Sequence, residues 1–435
     1  MKIFSVTLGC KVNQYESEAM IELFLQNGFL KARDINEADI VLINSCTVTA
    51  NSDRKLRQTI RRVKSLNPGS ILVLAGCMPQ AFPEIAKNIL AVDVVIGTSN
   101  RKKVVSDVLQ YINTKERVVD IKPYSSNDTY ELITTRGLSD RTRAFLKIED
   151  GCNNFCTYCI IPYVRGRVRS KPLDTIYSEA LELANNGYRE IVLVGINLTA
   201  YGQDLGLNLC DAIECVCKIS KIERVRISSL EPDAIDDEFL ERVSKQDKFC
   251  PHFHLSLQSG SDKILKEMNR HYTKEEYKKI VDNIRNKIPN ASITTDILVG
   301  FPGESEEDFQ ESLNFIKEIG FMKVHVFPYS RRPGTKADKF SYHIANPIKE
   351  DRSKRMIAFA KEVSTDYLKT QIGKEYEVLF ENKSEEGYLE GYTKNYIHIK
   401  IKCDSIANSD LKGQVRLVRL TQVIDDYCSA DIIND

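Results

Sequence analysis

Arg143-Ala-Phe-Leu-Lys-Ile-Glu-Asp-Gly-Cys-Asn-Asn-Phe-Cys-Thr-Tyr-Cys159 is the stretch that decides the fold. Arg143–Glu149 reads as a β-strand, and cysteines 152, 156 and 159 follow on the loop beyond its carboxyl end. Five more strands are expected behind it, at Glu190–Gly195, Arg224–Ser228, His252–Leu257, Ser292–Val299 and Lys323–Pro328. Helical apolar spacings separate them. Six βα units in a row predict a partial or complete (β/α) barrel, with function on the loops that follow the strands.

Working outward, the first segment alternates β-branched runs at Lys2–Leu8, Ile40–Asn44, Ile71–Ala75 and Val92–Ile96 with helical patterns at Glu16–Asn27, Ser52–Leu66 and Phe82–Leu90. That pattern predicts a doubly wound α/β domain. Lys122–Ser139 is polar and reads as a connection. After a helical pattern at Lys349–Thr370, short strands between polar turns predict a small all-β barrel. The chain is thus expected to be α/β and multidomain, divided into 1–120, 138–370 and 371–435.

Composition narrows the classes. The 435 residues carry 61 Lys and Arg against 61 Asp and Glu, so net charge gives no global pull toward nucleic acid or an anionic membrane. No run approaches the roughly 18 apolar residues of a membrane span, and Met1–Cys10 lacks the form of a secretory signal. A cytosolic location without membrane partners is expected. Thiols stay reduced there, so the 12 cysteines read as ligands, catalytic groups or buried thiols rather than disulfides.

Spacing sorts them. Three thiolates at i, i+4 and i+7 on one loop can ligate three irons of a four-iron cluster and leave the fourth open. The amino and carboxylate groups of S-adenosylmethionine can chelate that iron, and one electron then splits the sulfonium. A zinc knuckle is the alternative, but zinc favours a nearby fourth ligand, and no Cys or His occurs between Cys159 and Cys210. Cys10, Cys46 and Cys77 each stand two residues beyond an expected strand, about one βαβ unit apart. Loops at the carboxyl ends of parallel strands converge, so these three could hold a second cluster, although each alone would read as a buried thiol. Cysteines 210, 215, 217, 250, 403 and 428 share no such register and read as core.

With both sets in view, the chain resembles the methylthiotransferases of the radical S-adenosylmethionine superfamily along essentially its whole length. The resemblance is carried by Thr7-Leu-Gly-Cys-Lys-Val-Asn-Gln-Tyr-Glu-Ser17, Asn44-Ser-Cys46, Gly76-Cys77, Cys152 to Cys159 with Ile161-Pro-Tyr-Val-Arg-Gly166, Gly195-Ile-Asn197 with Tyr201-Gly202, Gly300-Phe-Pro-Gly-Glu304 and Tyr329-Ser-Arg-Arg-Pro-Gly-Thr335. The all-β tail is similar to the TRAM domain that those enzymes use on RNA. Leu8–Gln14 looks most like the branch that modifies threonylcarbamoyl-adenosine next to the tRNA anticodon. The isopentenyl-adenosine branch tends to have Gln-Met where this chain has Lys11-Val12, and the branch acting on a ribosomal-protein aspartate is more distant.

The resemblance implies an enzyme that inserts a methylthio group at C2 of N6-threonylcarbamoyladenosine in the anticodon stem-loop of tRNA. It implies two 4Fe-4S clusters, S-adenosylmethionine, a reducing electron donor and a sulfur source. The cluster at Cys152, Cys156 and Cys159 would bind S-adenosylmethionine, with Tyr158 near the adenine and Gly195 and Asn197 offering backbone groups to the methionine amine. Cys10, Cys46 and Cys77 would serve the sulfur. A tRNA partner needs local cations. Arg54, Arg57 and Arg61 share one face of an expected helix after Cys46, and Arg165, Arg167, Arg169 and Lys171 follow the radical loop; a solvated face is the alternative. The tail from Gln371 holds 8 Lys and Arg against 12 Asp and Glu, while its Tyr388, Tyr392 and Tyr396 could stack on bases. The alternative of a different class is a non-catalytic iron–sulfur or zinc RNA-binding protein.

Overall fold

A computed structural model describes residues 1–125, 127–137, 142–384, 387–402 and 411–433. Cys403 and the end of the expected connection at Ser139 lie outside them. Continuous β-branched runs build the first sheet: β1 (Lys2–Thr7), β2 (Leu30–Lys31), β3 (Ile40–Ser45), β4 (Ile71–Gly76), β5 (Val94–Ile96) and β6 (Val118–Asp120). Their order is β2-β1-β3-β4-β5-β6, parallel throughout. Every residue of β3 is buried, as expected of a strand covered on both faces. Helices α1 (Lys11–Gln26), α2 (Ala50–Leu66), α3 (Cys77–Ala81), α4 (Pro83–Lys87) and α5 (Val104–Thr114) make the two layers. Met20, Phe24, Val104 and Val108 pack on one face of the sheet, and Leu56, Ile60, Val63 and Met78 on the other. The chain reverses direction across the sheet between β1 and β3, which opens a crevice at their carboxyl ends.

The central domain begins with β7 (Arg143–Lys147) and continues through β8 (Glu149–Asp150), α6 (Ile161–Arg165), β9 (Arg169–Ser170), α7 (Leu173–Asn185), β10 (Glu190–Val194), α8 (Leu209–Cys217) and β11 (Arg224–Ile227). It goes on as β12 (Ser229–Leu230), α9 (Asp237–Ser244), β13 (His252–Leu255), α10 (Asp262–Glu267), α11 (Lys274–Lys287), β14 (Ser292–Val299), α12 (Glu306–Ile319), β15 (Lys323–Pro328) and α13 (Asn346–Lys369). The sheets β11-β10-β7 and β12-β13-β14-β15 form a partial barrel with β7 and β15 at its edges; β11 passes into β12 across Ser228 alone. Six staves were expected and six are present. Beyond expectation, Glu149–Asp150 leaves the first stave to pair antiparallel with Arg169–Ser170.

The tail is a closed barrel, ordered β16 (Glu375–Lys383), β17 (Tyr388–Thr393), β18 (His398–Lys402), β20 (Tyr427–Ile432) and β19 (Val415–Ile424). It seats against the first residues of the central strands. Arg224 donates to the Tyr392 and Glu377 carbonyls at 3.0 and 2.9 Å, and Arg226 to that of Lys394 at 2.9 Å. Tyr396 stacks on His252 with ring centroids 4.6 Å apart, and Arg143 lies over both Tyr392 and Tyr396. Two of the three tyrosines offered for base stacking are therefore used to dock the domains. Among the described residues, no helix is long and apolar enough to cross a membrane.

Candidate active site

The two cysteine sets lie where the sheets present their carboxyl ends. β1, β3 and β4 are consecutive neighbours, and Ser45 pairs in register with Gly76. Cys10 caps α1, Cys46 immediately follows β3, and Cys77 opens α3. The equal two-residue offset expected of them does not hold: the strands end at Thr7, Ser45 and Gly76, because helical geometry begins at once after β4. Convergence does hold. A Cβ on Gly9 would meet the Cys46 Cβ at 2.8 Å. Asn13 ties the loops together, donating from Nδ2 to the Leu8 and Ser45 carbonyls at 3.3 and 3.1 Å and accepting from the Cys10 thiol at 3.3 Å. Burial pushes the Cys77 thiol up to about 12; Arg165 opposes that, while Cys46 and Cys10 add to it. Burial likewise raises Cys46, with Cys10 adding and Arg165 opposing. The three thiols thus share one electrostatic environment that contains a guanidinium.

The second set sits on a loop made rigid by backbone contacts. Gly151 holds φ +95°, and a Cβ there would lie 2.0 Å from the Arg167 carbonyl oxygen, so only glycine fits before Cys152. The Thr157 N–H donates to the Met268 carbonyl at 3.0 Å, and the Ala337 N–H to that of Thr157 at 2.8 Å. Burial pushes Cys152 up to about 11 and Cys159 up to about 12. The sulfurs meet polar hydrogens: Arg270 Nη1 is 3.3 Å from Cys156 Sγ, and Asn197 Nδ2 is 3.7 Å from Cys152 Sγ. Arg270 is itself clamped by Glu231.

These donor sets fit four-iron clusters. Each offers three thiols without a fourth, and neighbouring N–H groups and guanidinium charge would stabilise bound thiolates, which a metal deprotonates outright. Among the described residues, no three His, Cys, Asp or Glu side chains are arranged to hold a single metal ion.

The other expected ligand groups fall as follows. Tyr158 packs with Met268, Phe301 and Leu298 beside the radical loop. The Ile196 and Asn197 N–H groups both donate to Glu149 Oε2 at 2.7 Å. What Gly195–Asn197 can present to an ammonium is therefore a carbonyl. Glu149 is fully buried, and its other oxygen has no hydrogen-bond partner among the described residues. Burial pushes its carboxyl up to about 8, Asp150 adds to this, and the two amides oppose it.

Arg165 corrects the sequence reading. It was expected on RNA, but it is 0% exposed. It donates to Glu16 at 2.7 and 3.1 Å, to Asp150 at 3.0 Å and to Asn13 Oδ1 at 3.1 Å. Lys147 and Arg101 each reach Glu16 at 2.7 Å, which completes an ionic core between α1 and the radical loop. Burial pushes Glu16 up, but Arg101, Arg165 and Lys147 outweigh that and hold it well below the usual carboxylate range. Arg169 stacks over Tyr124, and Lys171 pairs with Glu179 in the interior, so neither is an RNA contact. Arg54, Arg57, Arg61 and Arg167 remain exposed.

Sequence reasoning missed Glu16, Arg101, Lys147, Glu149, Glu231, Arg270 and Arg332. Arg332 lies in the Tyr329–Thr335 motif and donates to Asp53 at 2.8 Å and to Thr47 at 2.7 Å, which anchors the barrel to the Cys46 loop. Exposed Phe155 and Tyr163, in an edge contact at 5.7 Å, were also passed over. Only the position of Glu16 and Arg332 inside the motifs at Thr7–Ser17 and Tyr329–Thr335 could have flagged any of these.

Residues 146–316 match the model of the Radical SAM superfamily, and residues 2–97 match that described as Uncharacterized protein family UPF0004. The chain is 38% identical to the threonylcarbamoyladenosine tRNA methylthiotransferase MtaB of Bacillus subtilis, across 95% of this chain and 92% of that one. Its counterpart from Thermotoga maritima is 39% identical across 98% and 96%. A tRNA-2-methylthio-N(6)-dimethylallyladenosine synthase from Caldicellulosiruptor saccharolyticus is 36% identical across 92% and 86%. In fold, the chain is similar to the radical S-adenosylmethionine methyltransferase TsrM from Kitasatospora setae, with TM-score 0.58 and 13% identity over 77% of this chain and 73% of that one.

Proposed function

The chain belongs to the methylthiotransferases of the radical S-adenosylmethionine superfamily, and from that premise we propose that it inserts a methylthio group at C2 of N6-threonylcarbamoyladenosine beside the tRNA anticodon. The observation that carries this reading is Arg165. It ends the helix that follows Cys159, yet it bonds Asn13, three residues beyond Cys10, and acts on the Cys77 thiol. One side chain thus joins two cysteine sets from different domains, as expected where a radical step and a sulfur-transfer step share one substrate carbon.

Cys152, Cys156 and Cys159 would hold a 4Fe-4S cluster, which would supply the electron for reductive cleavage of S-adenosylmethionine and so the radical that a C2–H bond, neither acidic nor able to leave as hydride, requires. Cys10, Cys46 and Cys77 would hold the second cluster, at which the sulfur is carried or donated. One S-adenosylmethionine supplies the methyl group and another the radical. The protein's own groups do the rest. Arg270 and Asn197 orient Cys156 and Cys152, the Arg165 core fixes the spacing of the two sets, and Arg54, Arg57, Arg61 and Arg167 stand exposed for phosphate contact. Phe155 and Tyr163 supply aromatic faces beside the radical loop for an unstacked base. The all-β tail takes the TRAM role in RNA binding through its outer surface, with a soluble cytoplasmic setting and an external reductant.

Mass spectrometry of tRNA nucleosides from cells with and without the gene tests the reading. The 2-methylthio form of threonylcarbamoyladenosine should disappear with the gene and return with the wild-type chain, but not with a Cys152, Cys156 and Cys159 triple Ala variant. Loss of the dimethylallyladenosine product instead would sink it.

A further inference from the structure

Lys11 follows Cys10 on the first turn of α1, and its neighbour Val12 is buried against Phe145, Val192, Val194 and Ile196 of the central domain. The helix therefore enters the mouth of the partial barrel. The Lys11 ammonium lies within electrostatic reach of Arg143, Glu190 and Arg226, on three different staves, and of Tyr396 from the closed barrel. It acts in turn on His252 and His325, on two more. A point that close to five staves is inside the lumen. The lumen keeps access to water: Lys11 is an exposed residue, although burial of its ammonium lowers its pKa, and His325 and Phe327 are exposed on the face of β15 opposite the one that Val324 and Val326 bury.

The other cations at this end are taken. Arg226 Nε pairs with Glu190 at 2.7 Å and Arg143 Nε with Glu381 at 2.6 Å. Among the described residues, Lys11 has neither an ion pair nor a hydrogen bond. Around it the lumen carries hydrogen-bonding groups. His254 Nε2 is 3.3 Å from Asp296, and His252 and His254 both meet Thr294 Oγ1 at 2.9 Å. Among the described residues, Ser228 Oγ and His252 Nδ1 are buried without hydrogen-bond partners. A cation without an ion pair among the described residues, beside buried hydrogen-bonding groups that lack partners there, calls for an anion that carries further polar groups.

We propose that Lys11 binds the carboxylate of the threonylcarbamoyl substituent and is thereby a specificity-determining residue, the histidine and serine groups of the lumen meeting the substituent's hydroxyl and ureido groups. This rests on the substrate reading above. An apolar dimethylallyl group would leave the ammonium and the buried polar groups unanswered, and a site built for polar partners discriminates strongly against analogues that lack them.

The test uses the anaerobically reconstituted holoenzyme and three synthetic anticodon stem-loops. Their modified adenosine carries threonylcarbamoyl, its methyl ester, or dimethylallyl. For the unaltered enzyme, kcat/KM on the free acid should exceed that on the ester by about ten- to a hundredfold. Lys11→Gln should lose about that factor on the acid, through KM, and little on the ester. If the unaltered enzyme treats acid and ester alike, the proposal falls, and no misfolded variant can obscure that result. A raised KM for S-adenosylmethionine with an unchanged acid-to-ester ratio would assign Lys11 to the other carboxylate in the reaction and also overturn it. Should the enzyme modify only the dimethylallyl stem-loop, the substrate reading itself fails, an outcome separate from equal treatment of acid and ester.

Discussion

Glu149 is a carboxylate whose surroundings decide its charge, three residues before Cys152. It is buried, among the described residues it accepts two backbone N–H groups on one oxygen and none on the other, and its carboxyl is raised to about 8. A carboxyl raised on folding binds more protons in the native state. Its stabilising effect is full below the unfolded value near 4.5 and is lost as pH rises toward 8. In cluster-free protein, Glu149→Gln should therefore flatten the decline of urea-unfolding free energy across that window, where one proton accounts for at most about 1.4 kcal/mol per pH unit. An equal loss of stability at every pH would mean that the native group is charged. The cysteines were legible because their spacing is local. Arg165 was misread because its partners Glu16 and Asn13 lie some 150 positions upstream, and a basic residue after a cysteine loop looks the same in sequence whether it faces RNA or a buried carboxylate.

Helix α2 shows how much of an element a sequence carries. Thr49 caps it by accepting from the Ser52 N–H at 3.2 Å, and Leu56, Ile60 and Val63 face the sheet. Arg54, Arg57 and Arg61 are left exposed beyond the Cys46 loop. If they hold phosphate, replacing all three with Gln should weaken binding of the anticodon stem-loop and flatten log Kd against log salt by up to about 0.7 to 0.9 for each phosphate no longer neutralised. An unchanged slope would make this an ordinary solvated face. Boundaries were read less well where an element serves another domain. The expected helix at 16–27 omits the first turn of α1, since Val12 packs on the central barrel and Tyr15 on Glu179, which hides them from any single-face period. The expected helix at 82–90 is shorter, running only from Pro83 to Lys87, with Phe82 outside helical geometry before the proline. The α5–β6 unit was missed altogether.

At the scale of the molecule, six βα units and a doubly wound domain could be read from period and punctuation, but how they join could not. Glu16 and Asp150, Arg101 and Arg165, and Lys147 meet from three separate stretches of chain, and Arg332 adds a second anchor at Asp53. Breaking one side of a buried ionic set leaves charges uncompensated, at a cost of about 3 to 5 kcal/mol. Glu16→Ala should therefore destabilise the docking of the first domain by about that much. It should abolish methylthio transfer while S-adenosylmethionine cleavage persists, because the radical loop is held independently by Met268 and Ala337. The pH sense is opposite to that of Glu149: the surrounding cations keep Glu16 low, so its contribution is present above the unfolded value near 4.5 and is lost only as pH falls below it. Limited proteolysis between residues 121 and 137, read beside deoxyadenosine and methylthio product, separates the possibilities. Faster cleavage of that segment with transfer lost and deoxyadenosine retained is the expected result. If both products vanish together, the ionic core shapes the radical site itself; if both persist, the two cysteine sets do not depend on it for their spacing.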